Sequence, residues 1–461
     1  MFKKVVSLIC VAALVISLAA CSNWESKSSD IAGTSSSTVG SKADLKGRTI
    51  SLASYNNLTP SKSSSDYTKE LALWKQIEND YNCKLESVLY TDFNAYHKNL
   101  LVSALANEEI GDVFYASAER IVPRWTNANL LVPIGDYIDL SDSDVWNTDL
   151  ITSDYTIDGK GYSAIAEGYW VGWVILFNKR LCAEKRITSE ELYNLQKSGN
   201  WTWEKLREYA IKATTFDASG NTTVYGFATN SLAPVSVEPF IYSNGQEPVI
   251  INPDKTYSWN LEHPAILEAM NFCYDLVYKD KVSYTRGQGQ GPKLWQSGKC
   301  AFYAIPGWNI NKSMYEKLKG DEYGILLMPK GPKAQDYVNA SAAVSGWFMQ
   351  ESTKDKEIVG QILTDYVAGM KAIENENNPE GLPSKPLEEY LFDHESAETL
   401  NMITGRSTLL KGGAATWFNE NVLWGGWGIL EKMPPSTYIA YIKNQSIKSF
   451  NDMMSLDTES K

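Results

Sequence analysis

Histidine is scarce in this chain, and its cysteines are few and scattered. The three histidines, His97, His263 and His394, lie far apart, and neither an HExxH motif nor a Cys/His ligand spacing occurs. These absences argue against a zinc site. Four cysteines follow the N-terminal segment, each isolated within an apolar or helical pattern: Cys83, Cys182, Cys273 and Cys300. Such cysteines are typical of buried free thiols rather than a disulfide framework, and we expect neither metal nor cofactor.

Positive charge is also in deficit. The 43 Lys and Arg residues are outnumbered by 55 Asp and Glu residues, and no dense basic tract follows residue 4. Nucleic acid and anionic membrane surfaces are therefore poor partners.

Aromatic residues, in contrast, make up 12% of the chain, with 15 Trp and 26 Tyr, enough for a large core and a binding surface. A chain of 461 residues is too long for one ordinary domain and favours two large lobes.

The N-terminus has the pattern of a secretory signal over residues 1–20. Lys3 and Lys4 precede an apolar run over residues 5–18, which is too short for a comfortable transmembrane helix. The sequence Leu-Ala-Ala-Cys at 18–21 resembles a bacterial lipobox, which implies cleavage before Cys21 and a diacylglycerol on its thiol. The alternative is plain secretion with a chance cysteine. Residues 21–46, rich in Ser, Thr, Gly and Lys, would form a flexible tether that reaches roughly 25–30 Å.

After the tether, predicted strands alternate with predicted helices. Strands are expected at 48–54, 84–90 and 112–115, and helices after Asp66, as N-cap, and at 93–107. This alternation is typical of a parallel α/β sheet. An apolar strand at 168–178 is expected to cross from the first lobe to the second, and another at 323–329 to return.

The stretch GKCAFYAIPGWN at 298–309 places Trp308 directly after an apolar strand that is closed by Pro306 and Gly307. In open α/β sheets ligands bind beyond the carboxyl ends of strands. An indole covers the apolar face of a pyranose, while planar polar side chains bind its hydroxyls. Trp308 is therefore the leading candidate for a sugar platform, and packing in a core or turn is the alternative.

Several motifs in this order resemble the family 1 bacterial extracellular solute-binding proteins, the group of maltose-binding protein and other sugar receptors of ABC importers. The motifs are the lipobox, GDVFYASAER, LFNK at 176–179, GNWTWE at 199–204, and SGKCAFYAIPGWN followed by YGILLMPKGP. The resemblance implies a two-lobed periplasmic-binding-protein-like α/β fold of type II. Each lobe would be a mostly parallel sheet flanked by helices, and crossing strands would join the lobes. The lobes are expected at 48–168 with 331–372, and at 169–330 with 373–461.

The resemblance also suggests site residues. Trp308 has the family's spacing from Gly298, and Glu119 stands where an acidic sugar ligand is expected. The family's aromatic after the first Asp of that motif is here Ala116, beside Tyr115, and a glutamate of maltose-binding protein is replaced by Val171. Further candidates lie near these departures, at strand ends or in aromatic loops: Tyr169, Trp170, Trp173, Asn56, Tyr242, Trp347 and Trp424. Ordinary packing or turn chemistry is the alternative for each of them, and at most one of Trp170 and Trp173 should face the cleft.

The leading hypothesis is a lipid-anchored, monomeric receptor outside the cytoplasm that captures an oligosaccharide between its lobes. It would deliver this ligand to the transmembrane subunits of an ABC permease and perform no chemistry itself. One alternative is a secreted glycoside hydrolase, which needs two carboxylates about 5–10 Å apart across the scissile bond. Another is a sensor or scaffold lipoprotein that binds a protein partner.

Overall fold

Alternating apolar strands and amphipathic helices assemble into two main β-sheets, each with its own hydrophobic core. The computed structural model describes residues 42–90, 92–122, 124–231, 235–251, 257–285, 289–318, 320–340, 343–403, 406, 408–409 and 433–455. The candidate residues Cys21 and Trp424 lie outside the described residues, as does the expected signal segment.

The strands, in chain order, are β1 Thr49–Ser54, β2 Lys84–Leu89, β3 Val113–Ser117, β4 Thr156–Ile157, β5 Lys160–Gly161, β6 Trp173–Asn178, β7 Thr215–Phe216, β8 Thr222–Thr229, β9 Val249–Ile251, β10 Tyr257–Trp259, β11 Cys300–Pro306, β12 Tyr323–Leu327, β13 Asn339–Ala340, β14 Ser345–Phe348 and β15 Thr408–Leu409. The helices are α1 Tyr67–Asp80, α2 Phe93–Leu105, α3 Ala118–Ile121, α4 Arg124–Asn127, α5 Thr148–Asp154, α6 Lys179–Glu184, α7 Ser189–Lys197, α8 Trp203–Ala213, α9 Glu238–Ser243, α10 Pro264–Tyr278, α11 Gln290–Gln296, α12 Lys312–Glu316, α13 Lys356–Asn377, α14 His394–Ile403 and α15 Pro435–Ser455.

Lobe 1 is built on the sheet β14-β3-β1-β2. Strand β1 pairs in parallel with β2 and β3, and only β14 runs antiparallel to its neighbour. Ile50, Leu52 and Phe114 are fully buried in β1 and β3, whereas the edge strand β2 alternates buried Leu85 with exposed Lys84 and Glu86. This is the mostly parallel sheet that the sequence predicts.

Lobe 2 is built on the sheet β12-β6-β11-β8-β7. Only β8 and β11 pair in parallel, and the other three pairings are antiparallel. The expectation of a mostly parallel sheet is therefore wrong for this lobe. The chain enters through β6 at the edge where β11 ends, with Trp173 opposite Pro306. Strand β6 must therefore run against β11 and β12.

The connections between the lobes differ from those predicted. The expected crossing strand at 168–178 is a strand only from Trp173, and residues 166–172 join the lobes without strand structure. The expected return crossing at 323–329 is wrong, because β12 is paired with β6 at the edge of lobe 2. The chain returns between Ala340, which packs in the core of lobe 2, and Val344, which packs in the core of lobe 1. The Trp170 amide donates to the Ala343 carbonyl at 2.9 Å.

Helix α13 begins a third connection. Val359 and Leu363 pack into the core of lobe 1, whereas Leu387 and Leu391, beyond the helix, pack against the core of lobe 2. The α/β, two-lobed expectation is thus confirmed. The exact lobe boundaries stay a prediction, although Ala340 packs in the core of lobe 2.

Local chemistry explains several helix ends. The Thr202 hydroxyl accepts from the Lys205 amide at the start of α8, as the sequence predicts for an N-cap. Asp66 precedes α1 without a side-chain capping bond, because its carboxylate accepts instead from the Asn377 amide at 3.0 Å.

The four predicted free thiols are confirmed, and all of them are buried.

Candidate functional site

The strand ends of lobe 1 bring distant parts of the sequence to one edge. Strand β1 ends at Ser54, immediately before Tyr55, and parallel β3 ends at Ser117, immediately before α3. Antiparallel β14 begins at the same edge, with Ser345 opposite Ser117. The hydroxyls of Tyr55 and Ser345 are hydrogen-bonded at 2.8 Å. The sheet topology therefore gathers a polar cluster that no local sequence pattern contains.

Aromatic rings support this edge from below. The Tyr55 ring lies 5.0–6.1 Å, between centroids, from four rings: Phe93, Tyr96, His97 and Tyr115. Tyr115 in turn contacts Trp347, with 5.1 Å between centroids. Of the predicted site residues, Tyr115 is partly exposed, whereas Trp347 is only 5% exposed. Trp347 therefore backs Tyr115, and Tyr115 is the ring that faces outward.

The imidazole of His97 fixes the junction between β3 and α3. Its Nε2 atom accepts from the Ser117 amide at 3.2 Å, which leaves Nδ1–H to donate to the Phe93 carbonyl at 2.8 Å. The pKa of His97 is lowered to about 4, mainly by burial and also by the nearby Arg120 charge, while the bond to the Phe93 carbonyl opposes this shift. A neutral imidazole is thus built into the support of lobe 1.

Glu119, the predicted acidic ligand, lies at the start of α3 and is only 5% exposed. Burial raises the pKa of its carboxyl, and hydrogen bonds together with the Arg120 charge offset part of that rise. Its Oε2 atom has no hydrogen-bond partner among the described residues. Asn56, also predicted, is exposed directly after Tyr55. Glu119 is therefore buried below the exposed edge of lobe 1, and it influences groups at that edge, such as Tyr55, mainly through its charge.

At the corresponding edge of lobe 2, β11 ends at Pro306 and a 3-10 turn, Gly307–Asn309, presents Trp308. The indole is 47% exposed, which is unusual for so large an apolar side chain. It meets the indole of Trp170 edge to face, with 6.3 Å between centroids and 61° between planes. Two residues that the sequence proposed independently, 138 positions apart, are thus adjacent.

Glu167 lies between the two edges. Its Oε2 atom accepts from Trp170 Nε1 at 3.4 Å. Its charge raises the pKa of both Tyr55 and Tyr115, although burial is the larger cause for each. The side chain of Glu167 is exposed to water. Its pKa is nevertheless raised, mainly because the surrounding protein desolvates the carboxyl and also because of the Glu374 charge. A carboxyl group that water can reach but that protein surrounds on most sides, as in Glu167, is expected in a cleft.

Tyr169, which lies between Glu167 and Trp170, is held on the side of lobe 1. Its hydroxyl donates to Asp154 Oδ2 at 2.7 Å. Burial, with the Asp154 charge, raises the pKa of Tyr169 well above its usual range. The segment 167–170 therefore contributes side chains toward both lobes.

Asn230 completes the edge of lobe 2. It follows β8, and its Oδ1 atom accepts from the Tyr303 hydroxyl at 2.9 Å. The Tyr303 ring stacks on Trp295 with 10° between planes, so the amide is oriented by a rigid partner. Its nitrogen has no acceptor among the described residues and is available as a donor.

Two predicted residues are packed into the core of lobe 2. Trp173 is 6% exposed within β6, and Tyr242 is 1% exposed on α9. Trp173 therefore belongs to the core of lobe 2, whereas Trp170 is partly exposed. A ligand contact for Trp173 and Tyr242 stays a prediction that no contact in the structure supports. Trp424 and its neighbours Trp417 and Trp427 lie outside the described residues.

Sequence reasoning missed Tyr55, Glu167 and Asn230. Tyr55 carried a signal, since it directly follows a strand and precedes the proposed Asn56. Glu167 precedes the proposed Tyr169 and Trp170, but nothing in the sequence shows that this crossing segment lies between the lobes. Asn230 had no distinguishing pattern, because its role depends on pairing with β11.

In the described part of the chain, no three His, Cys, Asp or Glu side chains are grouped to hold a metal ion. Across the same residues, no helix combines the length and apolar character that crossing a membrane requires.

Solved structures share this fold. The ABC substrate-binding protein Lmo0181 from Listeria monocytogenes, in complex with cycloalternan, is 16% identical with a TM-score of 0.62, over 88% of this chain and 99% of that chain. MalE from Bdellovibrio bacteriovorus, bound to maltotriose, is 13% identical with a TM-score of 0.60, over 88% and 100%. UgpB from Mycobacterium tuberculosis, with glycerophosphocholine, is 13% identical with a TM-score of 0.60, over 87% and 98%. The expected periplasmic-binding-protein-like fold is confirmed.

No curated protein matches this sequence. The family model for bacterial extracellular solute-binding proteins, however, matches residues 59–372, about two thirds of the chain, which includes all of β2 to β14. The match is to binding proteins, which confirms the prediction that the chain is not an enzyme. The chain belongs to the bacterial extracellular solute-binding protein family.

Proposed function

We propose that this protein is a lipid-anchored receptor that binds an oligosaccharide between its lobes and delivers it to an ABC importer. The observation that carries the proposal is Trp308, a half-exposed indole braced by Trp170 at the end of β11. Together the two indoles form a contiguous aromatic surface, and an exposed apolar patch rimmed by polar groups is typical of a ligand-binding site. Its flat apolar face matches the C–H face of a pyranose.

The polar groups around the indole pair suit hydroxyl ligands. Glu167 Oε2 lies within 3.4 Å of Trp170 Nε1, so an acceptor stands beside the platform. Asn230 brings an oriented amide donor from β8, and Tyr55 brings a hydroxyl from the opposite lobe. Pyranose hydroxyls both donate and accept, and such a mixed set satisfies them. An aromatic platform with a few convergent polar groups is typical of a small-molecule site.

Among structurally similar proteins, those bound to cycloalternan and maltotriose support a saccharide ligand, whereas UgpB with glycerophosphocholine belongs to another ligand class. The fold therefore allows both classes. The indole alone does not distinguish them, because choline also binds aromatic faces by cation–π attraction, but the several neutral hydrogen-bonding groups around the indole match the many hydroxyls of a saccharide. We infer a carbohydrate ligand on this ground.

A panel of oligosaccharides tests the proposal. Wild-type protein without its first 20 residues is screened by thermal shift against α- and β-linked glucose, galactose, mannose and xylose oligomers. For each saccharide that raises the melting temperature, the affinity is then measured by calorimetry, both for the wild type and for Trp308→Ala. A saccharide that raises the melting temperature and loses affinity in Trp308→Ala supports the proposal. A panel without a positive, together with a stable protein partner, would favour a sensor or scaffold instead.

The membrane anchor is tested separately. We infer that Cys21 carries diacylglycerol and that residues 21–46 tether the lobes to the outer face of the membrane. Cells that express the full chain are labelled with an alkyne fatty acid, and Cys21→Ser is compared with the wild type. Loss of both label and membrane association in Cys21→Ser is expected. Retention of the label would contradict the anchor without affecting ligand binding.

A further inference from the structure

The side-chain amide of Asn339 spans the two peptide groups on either side of Val171. Its Oδ1 atom accepts from the Gly172 amide at 2.7 Å, and its Nδ2 atom donates to the Trp170 carbonyl at 3.0 Å. A primary carboxamide carries its donor and acceptor side by side in one plane, and so pairs with a backbone as a neighbouring strand does. These two bonds together hold the φ and ψ angles of Val171.

Asn339 itself is anchored in lobe 2. It is 3% exposed, its strand β13 pairs in parallel with β15, and the adjacent Ala340 packs in the core of lobe 2. Gly172 is bound to the same lobe, since its carbonyl accepts from the Gly307 amide at 2.8 Å. A Cβ at position 172 would overlap the Ala340 carbonyl oxygen, so glycine is required for this close approach.

The other end of the crossing is anchored in lobe 1. Ala164 exchanges two backbone hydrogen bonds with Trp347 of β14, at 2.9 and 3.0 Å, and the Ile165 carbonyl accepts from the Asn147 amide at 2.7 Å. Asn147 Nδ2 also donates to the Glu167 carbonyl at 3.2 Å, so the backbone is held by lobe 1 up to Glu167 and by lobe 2 from Trp170. Only the backbone of Gly168 and Tyr169 lies between the two anchors, and the Tyr169 hydroxyl is bonded to Asp154 of lobe 1.

We propose that Asn339 is a positioning residue that fastens residues 170–172 to lobe 2. The Trp170–Trp308 pair is then one rigid platform that keeps its geometry when the lobes move. Bending of this crossing takes place in the backbone of Gly168 and Tyr169, directly after Glu167. A ligand that binds both the platform and Glu167 spans this short segment and therefore restrains its bending directly. The fastening itself is independent of any ligand, and only its effect on affinity rests on the proposed function.

Hydrogen exchange on the ligand-free protein tests the fastening. In Asn339→Ala the Gly172 amide loses its acceptor, and we expect its exchange to accelerate at least tenfold. The amides of Ile175 and Leu176 in β6 should exchange as in the wild type. Asn244→Ala is the matched control, because Asn244 is equally buried in lobe 2 and its amide also makes two backbone bonds, to Lys333 N and Ala265 O. This control should leave Gly172 exchange unchanged.

Unchanged protection at Gly172 in Asn339→Ala would overturn the proposal. So would an equal acceleration in β6, since it would mean a general loss of stability. If Asn339→Ala does not fold, Asn339→Gln is used. It retains both polar groups on a longer side chain that misplaces them, and the same local acceleration is expected.

Fluorine resonances of 5-fluorotryptophan give a second readout, assigned by Trp→Phe substitutions. Asn339→Ala should shift or broaden the Trp170 and Trp308 resonances and leave that of buried Trp201 unchanged. A platform that is independent of Asn339 would leave all three unchanged and overturn the proposal. With any saccharide identified in the panel, Asn339→Ala should also lower affinity about fivefold. Absence of any saccharide would contradict the proposed function, whereas the exchange result would still decide the fastening.

Discussion

The facing edges of the two lobes are built differently. Lobe 1 presents Tyr55 and Tyr115 above buried ionisable groups, and these side chains hydrogen-bond or stack within the lobe itself. Lobe 2 presents Trp308, which is 47% exposed and meets the ring of Trp170 edge to face. A change in lobe 1 must therefore disturb folding as well as binding. A change at Trp308 should disturb binding with little effect on folding.

A fall in pH should cause the largest predicted change, a loss of folding stability that arises in lobe 1. His97 has a pKa of about 4 in the fold, against about 6.5 unfolded, so the unfolded chain binds more protons between these pH values. Stability from the neutral imidazole is complete above pH 6.5 and is lost as the pH falls toward 4, by roughly 3 kcal/mol for a difference of about 2.5 pKa units. Chemical denaturation at pH 7 and pH 4.5 measures it.

The raised pKa values of Glu119 and Glu167 have the opposite sign, so a comparison of variants is needed. His97→Gln removes the titrating group while it keeps an acceptor for the Ser117 amide, and its stability should fall less in acid. The control is His394→Gln, at an exposed position of α14, and the stability of this variant should fall in acid as much as that of the wild type. Equal acid losses in the wild type and His97→Gln would contradict the assignment.

Trp308→Ala should give the largest loss of affinity at the edge of lobe 2. Loss of one aromatic platform is worth on the order of 1–3 kcal/mol, or about 5- to 150-fold in Kd. Its melting temperature without ligand should change little, because the indole is largely outside the core. Calorimetry and thermal melting measure the two effects. Phe216→Ala, at a similarly exposed ring on β7, is the control and should bind normally.

A collapse of the Trp308→Ala melting temperature with intact residual binding would reverse the comparison and make Trp308 a structural residue.

Glu167→Gln should have a smaller effect, because it keeps the shape and replaces a charged acceptor with a neutral one. Hydrogen bonds to charged groups exceed neutral ones by about 1 kcal/mol, so we expect roughly a fivefold weaker Kd for a neutral saccharide. Glu374→Gln is the matched control, since its exposed carboxylate lies near enough to raise the Glu167 pKa. It should leave the affinity nearly unchanged. Equal losses in both variants would indicate a general charge effect.

Tyr55→Phe should have the smallest effect and act on lobe 1. It removes the hydrogen bond to Ser345 and keeps the four ring contacts. The free energy of unfolding should fall by about 0.5–1.5 kcal/mol, as measured by urea denaturation. Tyr441→Phe, at a 67% exposed ring on α15, should be neutral. An unchanged stability in Tyr55→Phe would remove the contrast between the lobes at this position.

Prediction from sequence succeeded where the pattern is local and failed where pairing decides. The apolar run before Pro306 identified β11, and Trp308 emerged at its end as expected. The same kind of run before Met328 predicted a crossing, although Tyr323–Leu327 is an edge strand. An apolar strand closed by proline looks alike in both cases, because its sequence does not record which strand it pairs with. Tyr242 was proposed beside a loop, but α9 turns it into the core.

The sequence alone determined that this is a two-lobed α/β protein with indoles and tyrosines to spare, since periodicity and composition depend only on neighbours along the chain. Tertiary structure alone decided which of them face each other. Trp170 and Trp308 meet, Glu167 lies between the lobes, and Asn339 holds the crossing segment. These contacts join residues more than a hundred positions apart, or depend on which strands pair. The physical reason is that hydrogen bonding and packing act through space, and no periodicity specifies them.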